Sequence, residues 1–161
     1  MVAEYTCFQG SIIKQKRGHF YVAQFGYGTM VMNRTNPAAP AHVNTFGNSL
    51  VYKQFISGTT LYSLDWENGG VTLYDLGASQ TAPPVLDSNE DGPGNQGTGI
   101  VLLGNYAYVS KVDYGIVVFD VSNKSDIKYV GECFLPEVTG LAGDGTFIYA
   151  VSHLSGLNVV I

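Results

Sequence analysis

The chain has 161 residues, enough for one domain with a buried core. Charged residues make up only 13%, and the net charge is −5 with a pI near 4.9. That balance excludes a nucleic-acid partner, because phosphate binding needs clustered Lys and Arg, and it disfavours anionic partners in general. No apolar run approaches the ~20 residues that cross a bilayer as a helix, and no charged stretch followed by an apolar one reads as a signal peptide.

Taken in chain order, the first predicted strand is AEYTCF (Ala3–Phe8). Lys14, Lys16 and Arg17 follow, a small basic cluster read as a solvated hairpin end. FYVAQFGYGTMVMN (Phe20–Asn33) then gives two apolar strands around a short turn. A polar connector, NRTNPAAP, leads to strands over His42–Phe46 and Ser49–Phe55. LYSLDWENGGVTLYD (Leu61–Asp75) repeats the strand–turn–strand pattern, followed by DLGASQTAPP and the polar run DSNEDG (Asp87–Gly92). Gly99–Leu103 reads as a strand, then AYVSKVDYGIVVFD (Ala107–Asp120) is the third copy. DVSNKSD, a strand over Lys128–Phe134 and another over Val138–Gly143 lead to the fourth copy, IYAVSHLSGLNVVI (Ile148–Ile161). Sustained helical periodicity is absent.

The copies align on two columns. Tyr21, Tyr62, Tyr108 and Tyr149 form one, at spacings of 41, 46 and 41; Gly28, Gly70, Gly115 and Gly156 form the other. A period of about 40 residues with four short strands per unit predicts an all-β propeller in one domain over residues 1–161. Four blades of four antiparallel strands are expected. The last copy ends after a third strand, and AEYTCF matches the fourth strand YVGECF of the preceding unit. The N-terminal strand is therefore expected to pair with the C-terminal blade and close the ring, hiding an edge. A monomer closed on itself is favoured over a strand-swapped dimer with eight blades. Small residues such as Ser49, Thr98, Gly99, Gly140, Ala142 and Gly143 suit the crowded axis. The same alignment puts Cys7 and Cys133 at equivalent places in different blades, beyond the ~7 Å bridging limit, so both are expected as free thiols.

GGVTLYDL and YGIVVFDVSNKSD resemble the LVIVD repeat, in which a glycine precedes an apolar strand ending in Asp and a Ser/Asn/Pro turn follows. The third unit is the best match; the first has Asn33 and Arg34 in place of the Asp and the residue after it. The resemblance implies a propeller, usually with more blades, and an extracellular or cell-surface location. It assigns no activity.

Asp75 and Asp120, which end the repeat strands, are read as turn caps. The turns between the paired strands differ between copies, so they are the expected binding face. Their residues are Gln24, Phe25 and Tyr27; Asp65, Trp66, Glu67 and Asn68; Lys111, Asp113 and Tyr114; and His153 and Ser155. In a ring these turns converge on one mouth. Trp66 beside two carboxylates and an amide suits a sugar or other small polar ligand, or a protein partner. An alternative is a hydrolase- or lyase-like enzyme using Asp65, Glu67, Asp113 and His153, and another is a structural ring-forming unit. The spacing of Asp87, Asn89 and Asp91 matches the start of a calcium loop, D-x-N-x-D-G, a weak Ca2+ site if bound. No other cofactor is implied.

Overall fold

The computed structural model describes residues 13–160. The fold is all-β and its strands form four antiparallel sheets, each running outward in chain order. The first sheet holds β1 (Ile13–Lys16), β2 (His19–Gln24), β3 (Gly28–Asn33) and β4 (Ala41–Phe46). The second holds β5 (Val51–Ser57), β6 (Thr60–Asp65), β7 (Val71–Asp75) and β8 (Val85–Asn89). The third holds β9 (Gly97–Leu103), β10 (Tyr106–Lys111), β11 (Gly115–Asp120) and β12 (Lys128–Phe134). The fourth holds β13 (Val138–Gly143), β14 (Ile148–Ser152) and β15 (Gly156–Val160). These are propeller blades, and their inner strands β1, β5, β9 and β13 line one shared cavity.

The tyrosine column is a register. Tyr21 faces Val31, Tyr62 faces Leu73, Tyr108 faces Val118 and Tyr149 faces Val159 across their hairpins. In three blades this face packs on the next blade. Tyr21 and Val31 meet Leu61, Tyr74 and Leu76. Tyr62, Leu64, Val71 and Leu73 meet Ala107, Val109, Val117 and Phe119. Tyr108, Ile116 and Val118 meet Val138, Ala150 and Val160. Alternation places apolar residues on both faces of each middle hairpin, which is why successive blades stack.

The glycine column marks where the third strand must leave its turn under the fourth. Gly115 has φ +148°, and a Cβ there would lie 2.3 Å from the Cys133 carbonyl oxygen. The repeat Asp residues cap their turns as expected: Asp75 accepts from the Gly77 N–H at 2.7 Å and Asp120 from the Ser122 N–H at 2.8 Å. Asn33, where the first unit departs from the motif, accepts from the Thr35 N–H at 2.7 Å and does the same work.

The expected closing strand, Ala3–Phe8, and Cys7 lie outside the described residues; Cys133 is a free, exposed thiol. The basic cluster departs from its reading as a solvated end. Only Arg17 sits in the β1–β2 turn; Lys14 is in an inner strand and lines the axial cavity. Ser49 lies in the turn before β5 rather than in an inner strand.

Candidate functional site

The variable turns share one face of the propeller because backbone hydrogen bonds stitch them to the connectors between blades. The Gly26 N–H donates to Ser49 O, and Trp66 N–H to Leu50 O. Gly97 N–H donates to Trp66 O, Val112 N–H to Gln96 O, Glu137 N–H to Val112 O, and His153 N–H to Glu137 O. Each connector thus bonds the turn of the blade before it and the turn of its own blade. The result is a continuous band from Gly26 to His153, fixed without side chains.

Within that band most candidate side chains are committed locally. Asp65 is buried; its carboxylate accepts from the Glu67 N–H at 2.7 Å and also holds the Asn48 amide. Asp113 accepts from the Asn95 N–H at 2.6 Å and from its amide at 3.2 Å. Trp66 is half-buried and packs on Tyr52 with ring centres 4.7 Å apart. Tyr114 meets Phe134 edge-on at 5.5 Å. Gln24 ends β2 half-buried, while Phe25, Tyr27, Glu67 and Ser155 lie exposed on the turns. His153 is exposed, 3.9 Å from the Glu137 carboxylate. The acid/base candidates are therefore spread over three blades; Asp65, Asp113 and His153 each sit beside a local partner, and Glu67 is exposed.

Lys111 is fully buried, its stem beneath Gly69 and its ammonium donating to Gly94 O at 3.3 Å. Burial pushes its pKa down, against the attraction of Asp113, Glu90 and Asp91. It works as an internal strut between the second turn and the 90–97 connector.

Asn68 takes part in a polar cleft on this face. Asn48, Asp65, Asn68, Ser88, Asn89 and Glu90 enclose about 190 Å³, and the Asn68 amide donates to the Glu90 carboxylate. Sequence reading found Asp65 and Asn68 as turn residues and Asn89 as a calcium-loop residue, but missed Asn48, Ser88 and Glu90. Those three come from β8 and the connectors beside the blade, where no repeat column marks them. Trp66 does not line this cleft.

The calcium-loop residues act at another junction. Asp87 and Asn89 are in strand β8; Asp87 accepts from the Ile127 N–H at 2.6 Å, and the Asn89 amide donates to Ile127 O at 3.0 Å. Together they clamp the next blade's connector. Asn89 also accepts from the Asp91 N–H at 2.8 Å. Among the described residues, no three His, Cys, Asp or Glu side chains gather where a metal ion could be held. Among them, too, no helix is long and apolar enough to cross a membrane.

Residues 96–134, the whole third blade, match the LVIVD repeat. The chain carries an LVIVD repeat. No curated protein matches the sequence. Among solved structures, the computationally designed Ika4 protein is similar, with a TM-score of 0.73 at 13% identity, covering 99% of this chain and 94% of that one. BamB from Moraxella catarrhalis is similar at TM-score 0.66 and 14% identity, over 93% of this chain and 43% of its own. The computationally designed Ika8 protein is similar at TM-score 0.68 and 12% identity, over 91% of this chain and 44% of its own. The chain thus spans less than half the length of BamB and Ika8. At these identities the likeness concerns the fold.

Proposed function

We propose that this chain is a protein-interaction propeller whose fourth blade presents the contact surface, and that the surface receives a second copy of the chain. One observation carries the reading. The face of the fourth blade equivalent to the three buried ones holds Val151, Leu157 and Val159 at 47%, 68% and 58% exposure. Their counterparts Leu64, Val71 and Leu73 in the second blade are buried. Surface apolar residues scattered singly need no explanation, but a contiguous sheet face marks an interaction site. Val151, Leu157 and Val159 themselves carry no charge, and the Asp144 carboxylate beside them is held by the Tyr149 hydroxyl. Burying what remains exposed yields roughly 1 kcal/mol per side chain.

In the finer arrangement, blade four of one copy stacks on blade one of the other, and Ala3–Phe8 adds the strand that lies beside β15. Two copies then complete a ring of eight blades. The opposing face of blade one is apolar as well: Phe20 and Met30 are half-buried and Val22 and Met32 are already buried, so most of the new burial falls on blade four. Leu157→Glu tests the reading. It places a charge in the contact, and association weakens at least tenfold by sedimentation while circular dichroism stays unchanged. Undiminished association of that variant would contradict it.

A second reading rests on the polar cleft. Its amides and carboxylates suit a small polyhydroxylated ligand such as a sugar. Titration with glucose and related hexoses is expected to shift the side-chain amide NMR signals of Asn48, Asn68 and Asn89; unshifted signals would count against it. The acid/base alternative has no arrangement of residues to support it.

A further inference from the structure

The junction of the third and fourth blades carries two exposed apolar side chains that neither reading above uses. Phe134 ends β12 and Leu154 lies in the turn between β14 and β15, each at 68% exposure. Both stand on one fixed piece of surface. The Phe134 ring meets Tyr114 edge-on at 5.5 Å, and the Leu135 N–H donates to Tyr114 O at 3.1 Å. Next along the chain, Pro136 O accepts from the Ser152 hydroxyl at 2.8 Å, and Ser152 Oγ accepts from the Leu154 N–H at 3.1 Å. The segment that begins at Phe134 therefore fastens the turn that holds Leu154.

The fold does not ask for either side chain. Leu154 stands two residues before its column glycine, Gly156, where the other blades have Gly26, Asn68 and Asp113. Phe134 follows the carbonyl that its column glycine approaches, that of Cys133; after the matching carbonyls of Phe46 and Asn89, the first two blades have Gly47 and Glu90. Small or polar residues thus serve the same backbone. Apolar side chains exposed together, where the repeat does without them, mark an interaction surface. Charge decides what it receives. The turns and connectors at this end of the propeller hold Glu67, Glu90, Asp91, Asp113 and Glu137, and among the described residues they hold no lysine or arginine. Lys111, at the end of β10, is buried. The turns and connectors of the opposite end hold Arg17, Arg34 and Lys124.

We infer that this junction docks a short segment of another protein that carries lysine or arginine next to apolar side chains. The apolar side chains rest on Phe134 and Leu154, and the cations meet the carboxylates of the surrounding turns and connectors, of which Asp113 and Glu137 belong to the same two blades. A second copy of the chain is not the occupant, because at a net charge of −5 it brings negative charge to an end that is already negative. Two side chains and their rim suit a short segment rather than a folded partner, whose contact covers ~800 Å² a side. The inference does not rest on the blade-four reading. Val151, Leu157 and Val159 stand on a sheet face, whereas Phe134 and Leu154 stand at the turn end.

The test is isothermal titration of the full chain at neutral pH and low salt with three capped peptides, Lys-Leu-Lys-Phe-Lys, Glu-Leu-Glu-Phe-Glu and Lys-Ser-Lys-Ser-Lys. The first is expected to bind one per chain. The acidic peptide is expected to bind at least about tenfold more weakly through like-charge repulsion, and the serine peptide at least about tenfold more weakly because it buries no apolar side chain. Phe134→Ser and Leu154→Ser are each expected to weaken binding of the first peptide about tenfold, with circular dichroism unchanged because both side chains are exposed. Both variants are expected to keep the solution mass of the parent, so loss of peptide binding and loss of self-association are read separately. Absence of binding by the first peptide, equal affinity for either of the other two, or parent affinity in both variants would overturn the inference.

Discussion

The hydroxyl of Tyr21 in the first blade donates to the backbone carbonyl of Gln80 in the second at 2.8 Å, from a fully buried ring. Tyr149 holds the same column in the fourth blade, but its hydroxyl turns back to Asp144 of its own blade at 2.8 Å. The same repeat position thus ties the first blade to the second, and in the fourth blade, where the face is open, it bonds within its own blade. Tyr21→Phe is expected to cost about 1 kcal/mol in denaturant unfolding, and Tyr149→Phe less, because its partner faces water.

The buried tyrosines also set an alkaline limit. Burial pushes the Tyr21 pKa from 10.0 to about 12, and raises those of Tyr62 and Tyr74. The folded state thus keeps protons that the unfolded state loses. Their contribution is complete below pH 10 and is lost as pH rises from 10 towards 12. The unfolding midpoint is expected to fall through that window, and a midpoint flat to pH 12 would contradict this.

Gly115→Ala is expected to destabilise by about 3 kcal/mol or more, since the new Cβ meets backbone atoms of the fourth strand and the φ is unfavourable. Gly104→Ala, at φ +59° with open space around it, is expected to cost only about 1 kcal/mol. Similar losses in both would remove the close-approach explanation.

Asp87→Ala is expected to cost about 1–2 kcal/mol by releasing the Ile127 N–H. As this carboxylate is read as a clamp, added Ca2+ is expected to leave the wild-type melting temperature unchanged. A rise with Ca2+ would restore the cation reading of Asp87, Asn89 and Asp91.

Lys111→Met keeps the packing under Gly69 and removes a buried charge. It is expected to stay within about 1 kcal/mol of the parent, whereas Lys111→Ala costs about 2 kcal/mol through the cavity it leaves. A large loss in the Met variant would show that the charge itself is needed.

The repeat made the propeller legible because Tyr and Gly columns report backbone register, which sequence alone carries. Turn caps were equally legible: Asp75 and Asp120 act within two residues of themselves. The site was less so. Asp65 and Asp113 looked like ligand groups because exposure of a turn says nothing of whether its carboxylates are already spent on neighbouring N–H groups. Lys14 looked like a solvated hairpin residue because only the convergence of four inner strands turns it toward an axis. Asn48 meets Asn89 and Glu90 from a segment far away in the chain, and the D-x-N-x-D-G spacing around Asn89 pointed to a cation rather than to this cleft. The open face of blade four was hidden for a related reason. Its residues are as apolar as their buried counterparts, and only the packing distinguishes them.

The most direct test of the interaction reading is the solution mass of the chain, by light scattering coupled to size exclusion over a range of concentrations. The account predicts a mass of two chains, reverting to one in Leu157→Glu. A mass of one chain at every concentration would contradict it.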